Sequence, residues 1–169
     1  MPAHPNPHQD ELAELALKRV VASGAEYGDI RLLDSTTQTI RGEDRRIASI
    51  REAQDSGFGI RVLYHGAWGF AASSVLSLEE APRVAELAIE IAKGSASLAS
   101  EKVKLADEPV HRDRVVTARQ IDPFAVALEN KTALLLETME YLHRQPGIVR
   151  SSATRSAGSL SARPRRRSP

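Results

Sequence analysis

The chain has 169 residues, with 23 Lys and Arg against 22 Asp and Glu, and it contains no Cys. This length supports one α/β domain with a proper core, and a chain without Cys has no disulfide, no thiolate nucleophile and no Cys-based zinc site. Five arginines and no acid fall in residues 151–169, which leaves 18 basic against 22 acidic residues elsewhere. An acidic body argues against a duplex-binding surface, so we do not expect nucleic acid as a partner of the domain.

The sequence also indicates where in the cell the protein is expected. Its first eight residues, Met-Pro-Ala-His-Pro-Asn-Pro-His, lack the apolar stretch of a signal peptide. No later run of about 18 apolar residues is long enough to span a bilayer. We therefore expect a cytoplasmic protein without a membrane partner.

The first predicted element is a helix. Asn6 suits the N-cap and Pro7 the first helical position, where the missing N–H costs nothing. The helix runs to about Ser23, and Gly24 is the expected stop. Its predicted core stripe consists of Leu12, Leu15, Ala16 and Val20.

Strands are predicted next. Apolar alternation indicates strands at residues 27–33, 38–42 and 45–53, separated by turn chemistry at residues 34–37 and 55–57. The connections are too short for helical crossovers, so the sheet should be largely antiparallel.

The sharpest motif is a hairpin around His65-Gly66. Two runs rich in β-branched and aromatic residues flank this pair, and a two-residue loop ending in Gly suits the positive φ angles of primed turns. That turn fixes the register, in which the predicted partners are Tyr64 with Ala67, Leu63 with Trp68, Val62 with Gly69, Arg61 with Phe70 and Ile60 with Ala71.

Two further helices follow. Ser77-Leu-Glu-Glu80 has the form of a capping box, but Pro82 lies deep for that register and moves the predicted start about two or three residues later. Lys93-Gly94 should end this helix. Asp122 as N-cap and Pro123 predict a third helix, with a core stripe of Leu128, Leu135, Met139 and Leu142.

These elements predict an α+β fold of two layers, with a largely antiparallel four- or five-stranded sheet packed by about three helices. Residues 1–150 form the predicted domain. Residues 151–169 are Ser, Ala, Arg and Pro with a single Leu. Such a segment buries too little apolar surface to offset the entropy of ordering it, so we expect a disordered tail.

The histidines raise the question of a metal site. His4 and His8 are four residues apart, but the prolines between them prevent the helix that would align them. Glu140 and His143 share a helical face, as in carboxylate-metal bundles, yet such sites need partner ligands on other helices. A floppy terminus and a solvated face are the simpler interpretations.

Other motifs carry no chemistry either. His65 and His111 are expected at the surface, and Gly57 and Gly59 are expected to make room for packed neighbours, because no phosphate-loop pattern or nucleophile elbow surrounds them. The sequence therefore predicts no catalytic, cofactor-binding or metal residue, and leaves any substrate-binding residues unknown.

Two charged segments are open to a binding role. Residues 41–52 are either the wet face of a sheet or the wall of a groove, where an open edge would permit strand addition by a peptide. The Arg-rich residues 151–169 could bind nucleic acid or acidic lipid by charge alone.

Several segments together resemble one known family. They are Ala-Glu-Tyr-Gly-Asp at 25–29, Thr-Ile-Arg-Gly-Glu at 39–43, Ser-Gly-Phe-Gly-Ile-Arg-Val at 56–62 and Trp-Gly-Phe-Ala at 68–71. With the helices, they resemble the N-terminal domain of the TldD/PmbA family over about residues 11–149. This resemblance implies a zinc metallopeptidase, also described as a modulator of DNA gyrase.

The resemblance has a limit. Family members are much longer, and their C-terminal half carries a helical His-Glu-x-x-x-His and a distant Cys, none of which occurs here. No catalytic or zinc-binding position can therefore be carried over, and zinc belongs to the full-length members. The composition departs from the family near Thr154, which suggests a truncated or frameshifted member.

The resemblance also implies a mode of action. Family members form dimers, often of two related subunits, in which a peptide reaches zinc inside an enclosed cavity and the N-terminal domain helps to form the wall. Three hypotheses follow for this chain: an N-terminal peptidase domain that is inactive alone, a non-enzymatic module that binds a peptide or a subunit, and weak nucleic-acid binding through the Arg-rich tail.

Overall fold

The computed structural model describes residues 7–106, 112–113, 115–116 and 118–167. Within these ranges no helix is long and apolar enough to cross a membrane. The helices and strands, in chain order, are α1 (Pro7–Ala22), β1 (Tyr27–Glu43), β2 (Arg46–Tyr64), β3 (Ala67–Ser73), α2 (Glu80–Leu98), β4 (Val115–Val116), α3 (Leu128–His143) and β5 (Ser152–Arg167).

The described strands form one five-stranded sheet in the order β3-β2-β1-β5-β4. The three helices and this sheet confirm the α+β class and the largely antiparallel arrangement that the sequence predicts. Each of β1 and β2 is far longer than an average strand of about 5–6 residues. These two strands are joined by a turn of only two residues, so they pair as a single long hairpin.

The chain divides into two compact units. Unit 1 takes its described residues from Met1–Asp34, Ser56–Val115 and Ser161–Pro169, and unit 2 takes its residues from Ser35–Asp55 and Val116–Leu160. Both β1 and β2 contribute to both units. The domain boundary predicted at residue 150 does not coincide with a boundary between these units.

The core of unit 1 lies between its sheet and the two helices α1 and α2. The predicted α1 stripe is buried at Leu12, Ala16 and Val20, whereas Leu15 is only half-buried. From the sheet, the fully buried side chains include Ile30, Ile60 and Val62, and from α2 they include Val84, Ala88 and Ala92. Gly69 of β3 lies directly beneath the backbone of α2, where a side chain would collide.

The predicted hairpin is confirmed in turn and register. His65 and Gly66 have φ angles of 47° and 77°, as a primed turn requires. The partners run from Tyr64 with Ala67 to Ile60 with Ala71, in agreement with every pair predicted.

The turns predicted at residues 34–37 and 55–57 are wrong, because β1 and β2 pass through them without interruption. Ser35 Oγ donates instead to the Asp55 carbonyl across the strand pair, at 3.5 Å. The chain reverses at Asp44 and Arg45, whose φ angles are 45° and 65°. Pairing along the whole hairpin thus outweighs the local turn preference of the polar residues.

Among the predicted helix limits, the late start of α2 is confirmed and two other limits are wrong. Ser77 Oγ accepts the N–H of Glu80 at 3.1 Å, and α2 begins at Glu80, three residues after the capping serine, as Pro82 indicates. The helix continues past Gly94, because a helical glycine costs only about 1 kcal/mol relative to alanine. Asp122 does not cap α3: its carboxylate accepts the N–H of Phe124 at 3.0 Å, which closes a turn two residues on.

The segment predicted as a disordered tail differs in the structure. Ser152–Arg167 is strand β5, paired to β1 on one side. Through Ser159 its side chains alternate between half-buried and exposed. The polar composition is compatible with a strand because the sheet satisfies backbone groups without apolar side chains.

A core substitution tests the packing of unit 1. Ile60 is fully buried and Ile50 is 45% exposed, although both lie on β2. We expect Ile60→Ala to lower the free energy of unfolding by about 2–5 kcal/mol and Ile50→Ala by no more than about 0.5 kcal/mol. Urea denaturation measures both, and equal losses would contradict this packing.

Candidate functional site

The predicted surface histidines are placed as follows. His65 is exposed in the hairpin turn, where its ring meets the Tyr64 ring edge-on and its Nδ1 lies 3.9 Å from Glu26 Oε1. His8 is exposed on α1. His4 and His111 lie outside the described residues, so the His4/His8 prediction is not addressed.

The side chains of Glu140 and His143 contact different partners and do not form a shared site. Glu140 lies 3.7 Å from Arg45 and 3.6 Å from Arg144. The His143 side chain is only 13% exposed, and its Nε2 lies 3.8 Å from an oxygen of Asp44. The solvated face expected here therefore holds for Glu140 and not for His143. Across the described ranges, no group of three or more His, Asp and Glu side chains could hold a metal ion.

The strand glycines have a packing role, as predicted. A Cβ at Gly59 would lie 2.9 Å from the Phe70 ring, and one at Gly57 would lie 2.9 Å from the Ser73 carbonyl oxygen. The absence of a side chain at Gly59 thus leaves the space in which the half-exposed Phe70 ring packs.

Unit 1 carries a buried carboxylate on the sheet face opposite its helices. The Asp29 side chain is 5% exposed. Its Oδ2 accepts the Tyr27 hydroxyl at 2.8 Å and two guanidinium N–H groups of Arg61 at 2.9 and 2.6 Å. The other oxygen, Oδ1, has no hydrogen bond, and Arg31 Nε lies 3.5 Å away.

Aromatic rings complete this cluster. The Arg61 guanidinium lies 5.4 Å from the Trp68 ring centre, and Tyr27 meets Trp68 edge-on at 5.5 Å. The hydrogen bonds that Arg61 donates to Asp29 raise the pKa of Arg61, although partial burial acts in the opposite direction. The cluster therefore holds a permanent cation against an aromatic surface.

Unit 2 contains a series of hydrogen-bonded side chains beneath α3, formed by Lys131, Gln38 and Glu52, which we call the relay. Lys131 is 3% exposed, and its ammonium donates to Gln38 Oε1 at 2.6 Å. The Gln38 amide in turn donates to Glu52 Oε1 at 2.7 Å. The ring centre of Phe124 lies 5.9 Å from the Lys131 Nζ. A neutral amide thus connects the buried cation to a carboxylate on the next strand.

The turn between β1 and β2 forms a second polar cluster in unit 2. Asp44 Oδ1 accepts the Ser151 N–H at 2.9 Å, while the Asp44 N–H donates to the Ser151 carbonyl at 3.0 Å. Arg150 Nε lies 3.5 Å from the other oxygen. The bond from Ser151 and the charge of Arg150 lower the pKa of Asp44. This exchange fixes the start of β5 to the hairpin turn.

A groove of about 520 Å³ lies between α3 and β5, entirely within unit 2. We call it the α3/β5 groove, and its lining residues are Leu134, Leu135, Thr138, Ala153, Thr154, Arg155 and Ser156. Leu134 is half-exposed at its wall. The volume is within the range of about 300–1,000 Å³ that is usual for ligand sites.

Residues 41–52, predicted as a wet sheet face or a groove wall, are placed mostly in water. Arg41 pairs with Glu43 at 2.7 Å, and Glu52 belongs to the relay. The pairing of β2 with β3 begins at Phe58, so within the described ranges the outer edge of β2 before that residue is open.

The roles of Asp29 and Lys131 were not predicted, although the sequence contains a signal for each. Asp29 and Tyr27 are two residues apart on β1, so their side chains lie on the same face of the strand. The predicted hairpin register gives Arg61 of β2 a place beside Phe70, on the face that also carries Leu63 and Trp68. Lys131 falls at the position between Leu128 and Leu135 where the core stripe of α3 lacks an apolar residue.

Glu80 at the start of α2 has a strongly perturbed carboxylate. It accepts two guanidinium hydrogen bonds from Arg83, at 2.7 and 2.6 Å, and one from Ser73 Oγ at 2.8 Å. These bonds, with Arg83 the larger cause, lower the pKa of Glu80 from 4.5 to about 2.

Comparison with known sequences gives a consistent result. A sequence profile described as PmbA/TldA metallopeptidase domain 1 matches residues 28–92. A metalloprotease of Methanocaldococcus jannaschii is 30% identical over 113 residues, which are 67% of this chain and 25% of that protein. A metalloprotease of Methanothermobacter thermautotrophicus is 38% identical over 73 residues, which are 43% of this chain and 15% of that protein.

Solved structures share the fold. A protein described as a modulator of DNA gyrase from Bacteroides thetaiotaomicron superposes with a TM-score of 0.71 at 15% identity, over 93% of this chain and 36% of the other. TldE from Thermococcus kodakarensis gives 0.58 at 15% identity, over 93% and 34%. The chain thus spans about a quarter or less of the curated relatives and about a third of these structures.

The Asp29–Arg61 pair yields a stability prediction. Arg61→Leu leaves the buried Asp29 without its main partner, so we expect a loss of roughly 1–3 kcal/mol in the free energy of unfolding. The matched control is Arg31→Leu: Arg31 is exposed and makes no hydrogen bond to Asp29 Oδ1, so we expect its removal to cost less than about 1 kcal/mol. Asp29→Leu combined with Arg61→Leu should recover part of the loss; an equal or larger loss would contradict a paired role.

Glu80 yields a pH prediction. Because its pKa is lowered from 4.5 to about 2, its contribution to stability is complete above pH 4.5 and disappears as the pH falls toward 2. We therefore expect Glu80→Gln to be less stable than wild type at neutral pH, with the difference shrinking on acidification. Thermal melts from pH 7 to 2 measure this, with the exposed Glu79→Gln as control. A difference independent of pH would refute it.

Proposed function

The chain belongs to the TldD/PmbA family as an N-terminal domain, and from this we propose that it forms part of the wall and subunit contact of a zinc metallopeptidase that cleaves peptides. The observation that carries the proposal is the position of the family match. Residues 28–92 run from the start of β1 to the second half of α2. They supply the sheet face with the Asp29–Arg61 pair together with the helix that covers the opposite face.

The zinc ion of such a peptidase does not fit the donor set of this chain. The sequence has no Cys and no His-Glu-x-x-x-His, and its described His, Asp and Glu side chains form no metal-binding group. We therefore propose that catalysis depends on residues outside these 169, and that the chain alone does not hydrolyse peptides.

A family subunit is the proposed partner, in a homodimer or a heterodimer. Support comes from the structural neighbour TldE and from the partly exposed Arg61 guanidinium beside Trp68, on the sheet face of unit 1 opposite its helices. A cytoplasmic location and weak nucleic-acid binding through the Arg-rich segment stay predictions. A peptide-binding role separate from catalysis is favoured by one observation, the α3/β5 groove.

A chimera tests the proposed function. The 113 aligned residues of the Methanocaldococcus jannaschii metalloprotease are replaced by the matching segment of this chain. We expect the chimera to bind zinc and cleave a casein-derived peptide, and we expect the same chimera with Ile60→Asp to lose activity because its N-terminal domain unfolds. Zinc content by mass spectrometry and peptide cleavage by chromatography are the readouts.

The chain alone provides the complementary measurement. We expect less than stoichiometric zinc and no cleavage of the same peptide. One zinc per chain together with cleavage would overturn the proposal, as would a folded, zinc-loaded chimera without activity.

A further inference from the structure

Among the described residues, only a two-residue strand pairs with the outer edge of β5. β5 contains 16 residues, whereas its outer neighbour β4 contributes two. Within the described ranges, no other strand pairs with this edge. Unpaired strand N–H and C=O groups are a template for another extended chain.

The backbone direction along β5 can be assigned from its first contact. The Ser151 carbonyl faces the β1–β2 turn, where it accepts the Asp44 N–H. Backbone groups alternate in direction along a strand, so those of Ala153 and Arg155 also face β1. The N–H and C=O groups of Thr154 and Ser156 therefore face outward.

The α3/β5 groove lies beside these outward groups. Leu134 and Thr138 of α3 form one wall, and the β5 residues from Ala153 to Ser156 form the other. A groove between a helix and an open strand edge is the arrangement in which extended peptides add to a sheet: the strand binds the peptide backbone, and the groove accepts alternate side chains.

The charge of Arg155 determines which peptides the α3/β5 groove favours. Arg155 lines it and is half-buried, and no ion pair involving Arg155 occurs among the described residues. The acidic residues of α3 are not among the lining residues. A half-buried guanidinium that forms no ion pair with the described part of the chain favours a carboxylate ligand.

We propose that the α3/β5 groove binds an extended acidic peptide, which pairs with the outward backbone groups of Thr154 and Ser156. An apolar side chain of the peptide contacts Leu134, and a Glu or Asp two positions away reaches Arg155. This site does not depend on the proposed peptidase function, because all of its residues belong to unit 2 and none belongs to the family match.

The test uses the full chain and two labelled peptides in fluorescence anisotropy. One is Ser-Glu-Ser-Leu-Ser-Glu-Ser-Leu-Ser, and the other has Lys in place of Glu. We expect the acidic peptide to bind at least about tenfold more tightly, which corresponds to about 1.4 kcal/mol. Arg155→Glu should reverse this preference, whereas Arg51→Glu on the exposed part of β2 should leave it unchanged.

A second pair of variants separates strand addition from simple charge attraction. Ser156→Pro removes an outward N–H without touching the pairing to β1, and edge strands tolerate proline. We expect it to weaken the acidic peptide about fivefold or more, whereas Ser156→Ala should have no effect. Circular dichroism confirms that each variant is folded.

Three results would overturn the proposal. Equal binding of the two peptides excludes Arg155 as the selecting residue. Binding that responds to Arg155→Glu and not to Ser156→Pro indicates charge attraction alone, as for a nucleic acid. Self-association of the chain in sedimentation velocity, abolished by Ser156→Pro and unaffected by either peptide, would assign the edge to a second copy of this chain.

Discussion

Backbone pairing between β1 and β2 is the constraint on which the rest of the structure depends. These strands reverse at Asp44 and Arg45 and run together from there back to Tyr27 and Tyr64. In unit 1, residues 27–34 and 56–64 of the pair belong with α1, α2 and β3. In unit 2, residues 35–43 and 46–55 of the pair belong with α3 and with β5 through Leu160. Polar stretches inside both strands hold their extended form because each residue contributes ladder hydrogen bonds regardless of its side chain.

Each unit also buries a charged side chain, and the two charged groups are hydrogen-bonded in different ways. In unit 1, Asp29 binds the guanidinium of Arg61 directly, beside an aromatic ring. In unit 2, Lys131 reaches its carboxylate through the amide of Gln38. Burying a charge is costly unless its hydrogen bonds are made. Each cluster joins side chains on different helices or strands, so its hydrogen bonds favour the observed alignment of those elements over a shifted alignment.

The sequence predicted what is decided locally and missed what is decided by pairing across the sheet. The His65-Gly66 turn, the register from Ile60 to Tyr64 and the late start of α2 all follow from residues within a few positions. The continuity of both long strands and the order in β5 do not, because their hydrogen-bond partners are distant in the chain. The α3/β5 groove could not be predicted from the sequence, because it depends on two elements more than ten residues apart meeting in space.

Amide hydrogen exchange along β5 tests most directly whether backbone pairing orders this chain. If β5 pairs with β1, the amides of Ala153 and Arg155 are protected, and those of Thr154 and Ser156 exchange rapidly, because they face outward. NMR on uniformly labelled protein resolves these four positions. We expect this alternation of slow and fast exchange, and rapid exchange at all four positions would contradict the pairing of β5 with β1.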